Sequence, residues 1–295
     1  MRVYVTGATG FVGGHVGREL RERGADVRDE RIDLLDRDAL VRAVEGCDAV
    51  VHVAAIYSYD APADVIERVN VEGTRTLIEV AREKGVRRFL YTSTAGTCGP
   101  VPGRPATEAD GPPPWELTIP YKRTKLEAER LALEARAVVV NPTTPVGEGD
   151  HKPTPTGRMI RGVARGKILG YVATTGLNVV DVRDVARGHA IALEHGAAGE
   201  RYILGGADLP LAELFATIAE LAGRPRPPIR VPYPVAVGAS RLGVANRDEV
   251  RLARIPMYFS SEKAERELGY RAGPVAPALA RAVAEAVSLN GRRER

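Results

Sequence analysis

Met1-Arg-Val-Tyr-Val-Thr-Gly-Ala-Thr-Gly-Phe-Val-Gly13 opens the chain, and its reading decides the fold. Val3 and Val5 sit in a short β-rich run, after which the chain turns on Gly7 and enters a helix near Phe11. In the spacing Gly7-x-x-Gly10-x-x-Gly13 the three glycines allow, in turn, a tight reversal, close approach of backbone to a pyrophosphate, and close packing of helix on strand. The new helix points free N–H groups and the positive end of its dipole at such a ligand. Following a strand and opening a helix, the triplet reads as a dinucleotide cradle of Gly7, Thr9, Gly10, Phe11, Val12 and Gly13. The cofactor expected there is NAD or NADP.

Downstream, strands and helices alternate. Phe11 to Arg23 reads as a helix closed by Gly24, Leu35 to Glu45 as one with Asp36 as N-cap, and Ala63 to Lys84 as a long one ended by Gly85. Ala49-Val-Val-His-Val-Ala-Ala-Ile56 is an apolar strand of the kind buried on both faces of a parallel sheet, and Arg88-Phe-Leu-Tyr-Thr92 is the next. A proline-rich loop leads to a helix over Tyr121–Arg136 and a strand at Ala137–Val140. The pattern predicts a doubly wound α/β fold of Rossmann type with a smaller C-terminal α/β lobe.

Two junctions are too short for it. Ala25–Arg28 and Arg31–Leu34 both read as strands, yet about three residues separate them where a parallel crossover needs about a dozen. Arg136 passes into Ala137 with almost no loop. The reading taken is that residues of a fuller chain are absent at both places.

The domain expectation is residues 1–142, with about 176–198, as the NAD(P)-binding part, and 143–175 with 199–295 as the substrate-binding lobe. Composition supports an ordinary globular enzyme: 44% hydrophobic, 27% charged, and a net charge of +4 spread along 295 residues. No local charge block points to nucleic acid, and no apolar run is long enough for a membrane span. The basic tail from Gly291 to Arg295 reads as a frayed terminus. Two isolated cysteines, Cys47 and Cys98, suggest neither a disulfide framework nor a metal site. A cytoplasmic location is expected, and the excess of arginine over lysine hints at a GC-rich bacterial genome.

Chemistry is carried by Tyr121-Lys-Arg-Thr-Lys125, which puts a tyrosine and a lysine four apart on one helical face. A free phenol ionises near 10, too high for a base at neutral pH; a nearby ammonium favours the phenolate and lowers that value. Ser93-Thr94, at the end of the preceding central strand, offers a hydroxyl to the substrate oxygen that Tyr121 would protonate or deprotonate.

Taken in order, Gly-x-x-Gly-x-x-Gly, His52-Val-Ala-Ala55, Asn70-Val-Glu-Gly-Thr74, Tyr91-Thr-Ser-Thr94, Tyr121-x-x-x-Lys125 and Asn141-Pro142 resemble the extended short-chain dehydrogenase/reductase superfamily, in its NAD-dependent epimerase/dehydratase branch. Asn141-Pro-Thr-Thr-Pro-Val-Gly147, Lys152-Pro-Thr-Pro-Thr-Gly157, Thr175-Gly-Leu-Asn178 and Arg201-Tyr-Ile-Leu-Gly-Gly206 look most like the hopanoid-associated sugar epimerases, kin of dihydroflavonol 4-reductase-like proteins. The resemblance implies Thr94 in the catalytic Ser/Thr position, Tyr121 as general acid/base, and Lys125 as its partner on the nicotinamide ribose. It places Asp33 and Leu34 at the adenine, and Ala54, Ala55 and Tyr57 by the adenosine ribose and diphosphate. Pro142, beside Asn141, would lie under the nicotinamide amide, with Thr92 among the cofactor residues. Ser93, Lys152, Thr154 and Thr156 are candidates for substrate contact. Arg28, at the end of the second strand, leans toward NADP, since a basic residue there accepts the 2′-phosphate. Asn70 and His52 read as structural, and Asp184 as a helix N-cap.

The function expected is hydride transfer at a secondary alcohol or ketone of a small molecule, either a sugar derivative or a ketone. Epimerisation of a (nucleotide-)sugar stands slightly ahead of net NADPH-dependent reduction of dihydroflavonol-reductase type. A non-catalytic cofactor-binding regulator is the rival from another class. The resemblance also implies a homodimer, paired through Ala63–Lys84 and Leu117–Arg136.

Overall fold

The computed structural model of the protein describes residues 1–57 and 61–291. The basic tail beyond Gly291 lies outside the described residues.

Strands β1 (Arg2–Thr6), β2 (Asp26–Arg28), β3 (Ala49–His52), β4 (Arg88–Thr92) and β5 (Val138–Pro142) join β9 (Arg201–Leu204) in one sheet, in the order β2-β1-β3-β4-β5-β9. Every pairing in it is parallel. The alternation within β1 explains the two covered faces. Val3 and Val5 pack with Val16 and Leu20 of α1 (Phe11–Glu22) and Ala186, Ala190 and Leu193 of α7 (Val182–His195). Tyr4, between them, joins Leu40 of α2 (Arg37–Val44) and Leu77 and Val80 of α4 (Gly73–Glu83) on the opposite face. Farther along that face, Tyr91 and Val139 meet Ala128 and Ala132 of α5 (Pro120–Glu134). This is the doubly wound Rossmann-type architecture expected, and strand order reverses between β1 and β3, where open α/β sheets bind ligands.

The predicted helix over 63–84 is present as α3 (Ala63–Glu67), one π-helical turn over Arg68–Glu72, and α4. The apolar run Ala49–Ile56 is a strand only as far as His52. Beyond it, the N–H groups of Val53 and Ala54 donate to Thr6 Oγ1 and that of Ile56 to Asn70 Oδ1, which takes the backbone out of the ladder.

Residues 143–291 form the smaller part, apart from α7 and β9. A three-stranded sheet in the order β10-β8-β6 combines β6 (Thr144–Val146), β8 (Gly176–Asp181) and β10 (Ala207–Pro210). It is covered by α6 (Pro155–Ala164), α8 (Leu211–Leu221) and α12 (Ala276–Gly291). A two-stranded sheet of β7 (Gly170–Val172) and β11 (Ile229–Val231) carries α9 (Tyr233–Arg241) and α10 (Arg247–Leu252), while α11 (Glu262–Leu268) packs near β9. Residues 176–181 belong to the small sheet, and 201–204 supply the sixth strand of the large one.

Both short junctions close directly. Arg31–Leu34 is not a strand: residues 29–36 run as a connection from β2 into α2. Leu34 turns into the core against Gly73, and Asp33 Oδ1 accepts from Leu35 N at 3.0 Å. At the second junction Arg136 takes a left-handed conformation, φ +58°. Arg136 N then reaches Leu133 O and Ala137 N reaches Ala132 O, each at 2.9 Å, so a two-residue turn ends α5 and delivers the chain to β5. The N-cap of α7 is Asp181, which accepts from Arg183 N, and not Asp184. Asp184 is buried in the first turn, where it accepts from Gly273 N.

Candidate active site

The carboxyl ends of β1, β3, β4 and β5 form one rim. On it, Gly7 sits at φ +71°, and a Cβ added there would meet the backbone of Ala54 at 2.8 Å, so the glycine turn lies directly against the loop after β3. A Cβ on Gly13 would collide with the Gly7 carbonyl, whereas one on Gly10 would be tight but accommodated at 3.1 Å from the same oxygen. Gly13 thus sets helix against turn. Gly10 is the N-cap of α1 and supplies no side-chain cap, which leaves the helix's first N–H groups for another partner. Thr9 and Gly10 are exposed; Val12 packs toward the core and Phe11 stands edge-on to His15, at 5.9 Å.

A buried polar relay ties this rim together. Thr6 Oγ1 accepts from Val53 N and Ala54 N and contacts His52 Nδ1 at 2.7 Å; His52 Nε2 is 2.9 Å from Thr74 Oγ1, which donates to Asn70 O at 2.7 Å. Since Thr74 uses its proton on Asn70, the network assigns the His52 hydrogen to Nε2. Burial lowers His52 to about 3, so it is a neutral structural residue, as the sequence suggests. Asn70 also donates to Ile56 O, which makes it the strut between the π-helical turn and the β3 loop.

Thr94, Tyr121 and Lys125 come together. Thr94 lies beside Tyr121, near enough for its hydroxyl to act on the phenol, and Thr94 Oγ1 accepts from Gly96 N at 3.2 Å. Lys125, one turn along α5, donates from Nζ to Thr92 O at 2.6 Å and lies 4.4 Å from the centroid of the Tyr91 ring. Thr92 Oγ1 in turn meets His189 Nε2 at 2.9 Å. Burial pulls Lys125 down to about 7, opposed by Glu129. One expectation is overturned here. Tyr121 is not drawn toward neutrality by Lys125; burial comes first and pushes the phenol up, with Tyr57 adding to the rise and only the Thr94 hydroxyl opposing it. The Lys125 ammonium is directed at the Thr92 carbonyl instead.

Behind this trio lies a group that the sequence reading missed. Glu129 is 1% exposed and accepts from Thr97 Oγ1 at 2.6 Å, Asn141 Nδ2 at 2.8 Å and Arg201 Nη1 at 2.7 Å. Asn141 Nδ2 also reaches Thr94 O at 3.1 Å, so the strand-end asparagine steadies the candidate catalytic threonine. The signal was available: Glu129 follows Tyr121 by eight residues and Lys125 by four, on the same helix face.

Other expectations divide. Tyr57 stacks on Tyr121 and so stands by the candidate acid/base, where the adenosine end was expected. Ala55 is exposed and Ala54 abuts the glycine turn. Arg28 pairs with Tyr4, two residues short of the end of β1, and its guanidinium donates to the carbonyls of Ala43 and Glu45 at the close of α2. That removes the support it lent to NADP. Leu34 is core and Asp33 is exposed. Thr154 is the N-cap of α6 and donates to Asp150, a structural role; Thr156 lies in the first turn of α6, and Lys152 is exposed beside it.

Three buried polar atoms on the rim have no hydrogen-bond partner among the described residues: Ser93 Oγ, Asn141 Oδ1 and Thr143 Oγ1. They neighbour Pro142, the last residue of β5. A ligand with an anionic middle for the uncapped α1 terminus and an amide-bearing end for these groups fits the site, and a nicotinamide dinucleotide has that make-up. Among the described residues no cluster could hold a metal ion, and no helix is long and apolar enough to cross a membrane.

Comparison with known proteins agrees with this geometry. The chain is 35% identical to a Synechocystis protein carried as a candidate dihydroflavonol 4-reductase, over 95% of this chain and 93% of that one. It is 31% identical to a 2-alkyl-3-oxoalkanoate reductase of Stenotrophomonas maltophilia, over 92% and 94%. Its fold matches the crystal structure of a nucleoside-diphosphate-sugar epimerase from Pseudomonas aeruginosa with a TM-score of 0.83, at 28% identity, covering 99% and 98% of the two chains. The alignment to the Synechocystis relative spans 319 positions, more than the 295 residues here, so that protein carries residues without a counterpart in this chain. A cradle at the α1 terminus, a hydroxyl pair at the ends of β4 and α5, and a family model that matches residues 3–205 lead to one conclusion: the chain belongs to the NAD dependent epimerase/dehydratase family.

Proposed function

We propose that the protein is an NAD(P)-dependent oxidoreductase acting at a secondary alcohol or ketone, and that it runs as a net ketone reductase. The nearness of Thr94 to Tyr121 carries the reading, because it sets two hydroxyls where one substrate oxygen can be held and protonated. When bound, the nicotinamide supplies the hydride. The uncapped N-terminus of α1 would hold its diphosphate, Lys125 its ribose, and Ser93 and Thr143 its amide end. Tyr121 gives its proton to the substrate oxygen, and Thr94 orients that oxygen by hydrogen bonding. A phenol is already protonated at neutral pH, and burial pushes its ionisation further up; the protonated form is the state that a reductase needs.

The Tyr57 ring over Tyr121 favours net reduction, since it narrows the mouth that a rotating keto-sugar would require. The two reductase-named relatives support the same direction. Epimerisation of a nucleotide sugar is the second reading, supported by the Pseudomonas structure and the motif likeness. In this proposal the six-stranded part holds the cofactor, the smaller sheet and its helices cover the substrate, and the chain pairs as a dimer through the 63–83 and 120–134 helices. A clean monomer by light scattering at micromolar concentration contradicts the dimer.

The deciding experiment supplies NADH or NADPH with small ketones and, separately, nucleotide sugars, while absorbance of the reduced cofactor is followed. Stoichiometric oxidation with a ketone is expected. Inversion of a sugar centre without net cofactor consumption transfers the assignment to the epimerase reading, and neither reaction overturns both.

A further inference from the structure

Beside the Thr94–Tyr121 pair lies a second buried ion pair with no part in the chemistry above. Lys122, next to Tyr121 in α5, is 3% exposed, and Glu116, in the short 3₁₀ turn over Pro114–Thr118, is fully buried. Their charged atoms stand 2.9 Å apart. Neither carboxylate oxygen of Glu116 makes a hydrogen bond of good geometry among the described residues, so the ion contact with Lys122 is what holds it. Burial raises its affinity for a proton and Lys122 opposes this.

Such a pair is weak evidence for stability, because taking both charges out of water offsets most of their attraction. Its location suggests another use. Lys122 Nζ also lies 3.5 Å from Gly96 O, and a Cβ at Gly96 would collide with that ammonium. Gly96 belongs to the 3₁₀ turn Ala95–Thr97, which is capped by Thr94 itself. The turn is therefore held from two sides. Thr97 on one flank donates to Glu129, which is paired with Arg201; Gly96 on the other lies under Lys122, which is paired with Glu116. Lys122 shares its backbone with Tyr121, so a single residue links the tyrosine to the turn that places the threonine.

We infer that the Lys122–Glu116 pair is a positioning element, which sets the Thr94 hydroxyl relative to Tyr121. Lys122 and Glu116 are positioning residues, and the inference rests on the oxidoreductase reading only for its kinetic consequence. Misplacement of a reacting group by about 1 Å can lower turnover by about a hundredfold.

The test uses Lys122→Met, which keeps the stem and removes the charge, and the double variant Glu116→Leu/Lys122→Met, which leaves no uncompensated buried carboxylate if the single variant folds poorly. Hydrogen exchange over residues 94–99, measured without cofactor, should quicken in the folded variants while exchange in β1 and β5 stays unchanged. With an active ketone, kcat should fall about tenfold to a hundredfold at unchanged cofactor KM, and the primary isotope effect with 4-deuterated cofactor should rise. A merely structural role lowers the folded fraction and leaves both the isotope effect and local exchange as they were. Unaltered exchange over 94–99 in a folded variant overturns the inference. If the parent chain transfers no hydride but exchange still responds, the positioning role stands and the functional proposal fails.

Discussion

Tyr57 lies against Tyr121, with ring centroids 4.6 Å apart and planes tilted by 32°. Tyr57 is part exposed while Tyr121 is buried, so among the described residues the Tyr57 ring lies over the phenol. Burial first, and Tyr57 next, push Tyr121's ionisation up. Tyr57→Ala should lower it. In the alcohol-oxidising direction, where Tyr121 must be deprotonated, the rising limb of the pH–rate profile should therefore move to lower pH. An unmoved limb would show that Tyr57 does not shield the reacting phenol.

Tyr121→Phe keeps the ring and its stacking and removes the proton. Turnover should drop about a hundredfold or more, the usual size of a general acid/base contribution, while cofactor affinity by calorimetry is preserved. Near-normal turnover places the chemistry elsewhere.

Lys125 links pH to stability. Its folded value is lowered from 10.5 to about 7 by burial. Between these values the unfolded chain holds a proton that the folded chain has released, so stability rises with pH, and the burden is fully present below 7. The slope is at most about 1.4 kcal/mol per pH unit. Above pH 9 the buried Cys98 thiol, pushed up to about 12, acts in the opposite sense, so pH 7 to 9 is the clear window. The urea midpoint should climb across it in the parent protein and stay flat in Lys125→Met. Equal slopes in the two proteins contradict the assignment.

The glycine turn separates folding from binding. Gly13→Val forces a side chain onto the Gly7 carbonyl and should lower stability by about 1–3 kcal/mol, seen as an earlier denaturant midpoint. Gly10→Ala meets only a 3.1 Å contact and should fold near-normally, yet bind NAD(P) at least tenfold more weakly because its methyl enters the space at the uncapped helix end. Unchanged affinity in Gly10→Ala removes the diphosphate from this terminus.

Much of the molecule was legible in the sequence because its signals are local. Alternation in Arg2–Thr6, the apolar run from Ala49, and glycines after helices each report a backbone state set by near neighbours, and they led to the doubly wound sheet. Spacing likewise put Tyr121 and Lys125 on one helix face. The same local reasoning misled at Arg31–Leu34, whose strand-like composition instead serves a leucine turned into the core, and at Arg136, a non-glycine residue in a glycine conformation. What the tertiary structure alone decided is which buried group meets which. Arg201 reaches Glu129 across 72 residues, Tyr57 covers Tyr121, Lys122 finds Glu116, and Arg28 turns away from the rim because β2 ends at the level of Tyr4. Such pairings depend on strand order and register, which bring distant segments to one edge of the sheet. They also set the charge balance of the site, because desolvation and facing charges, not residue type, determine where Tyr121 and Lys125 titrate.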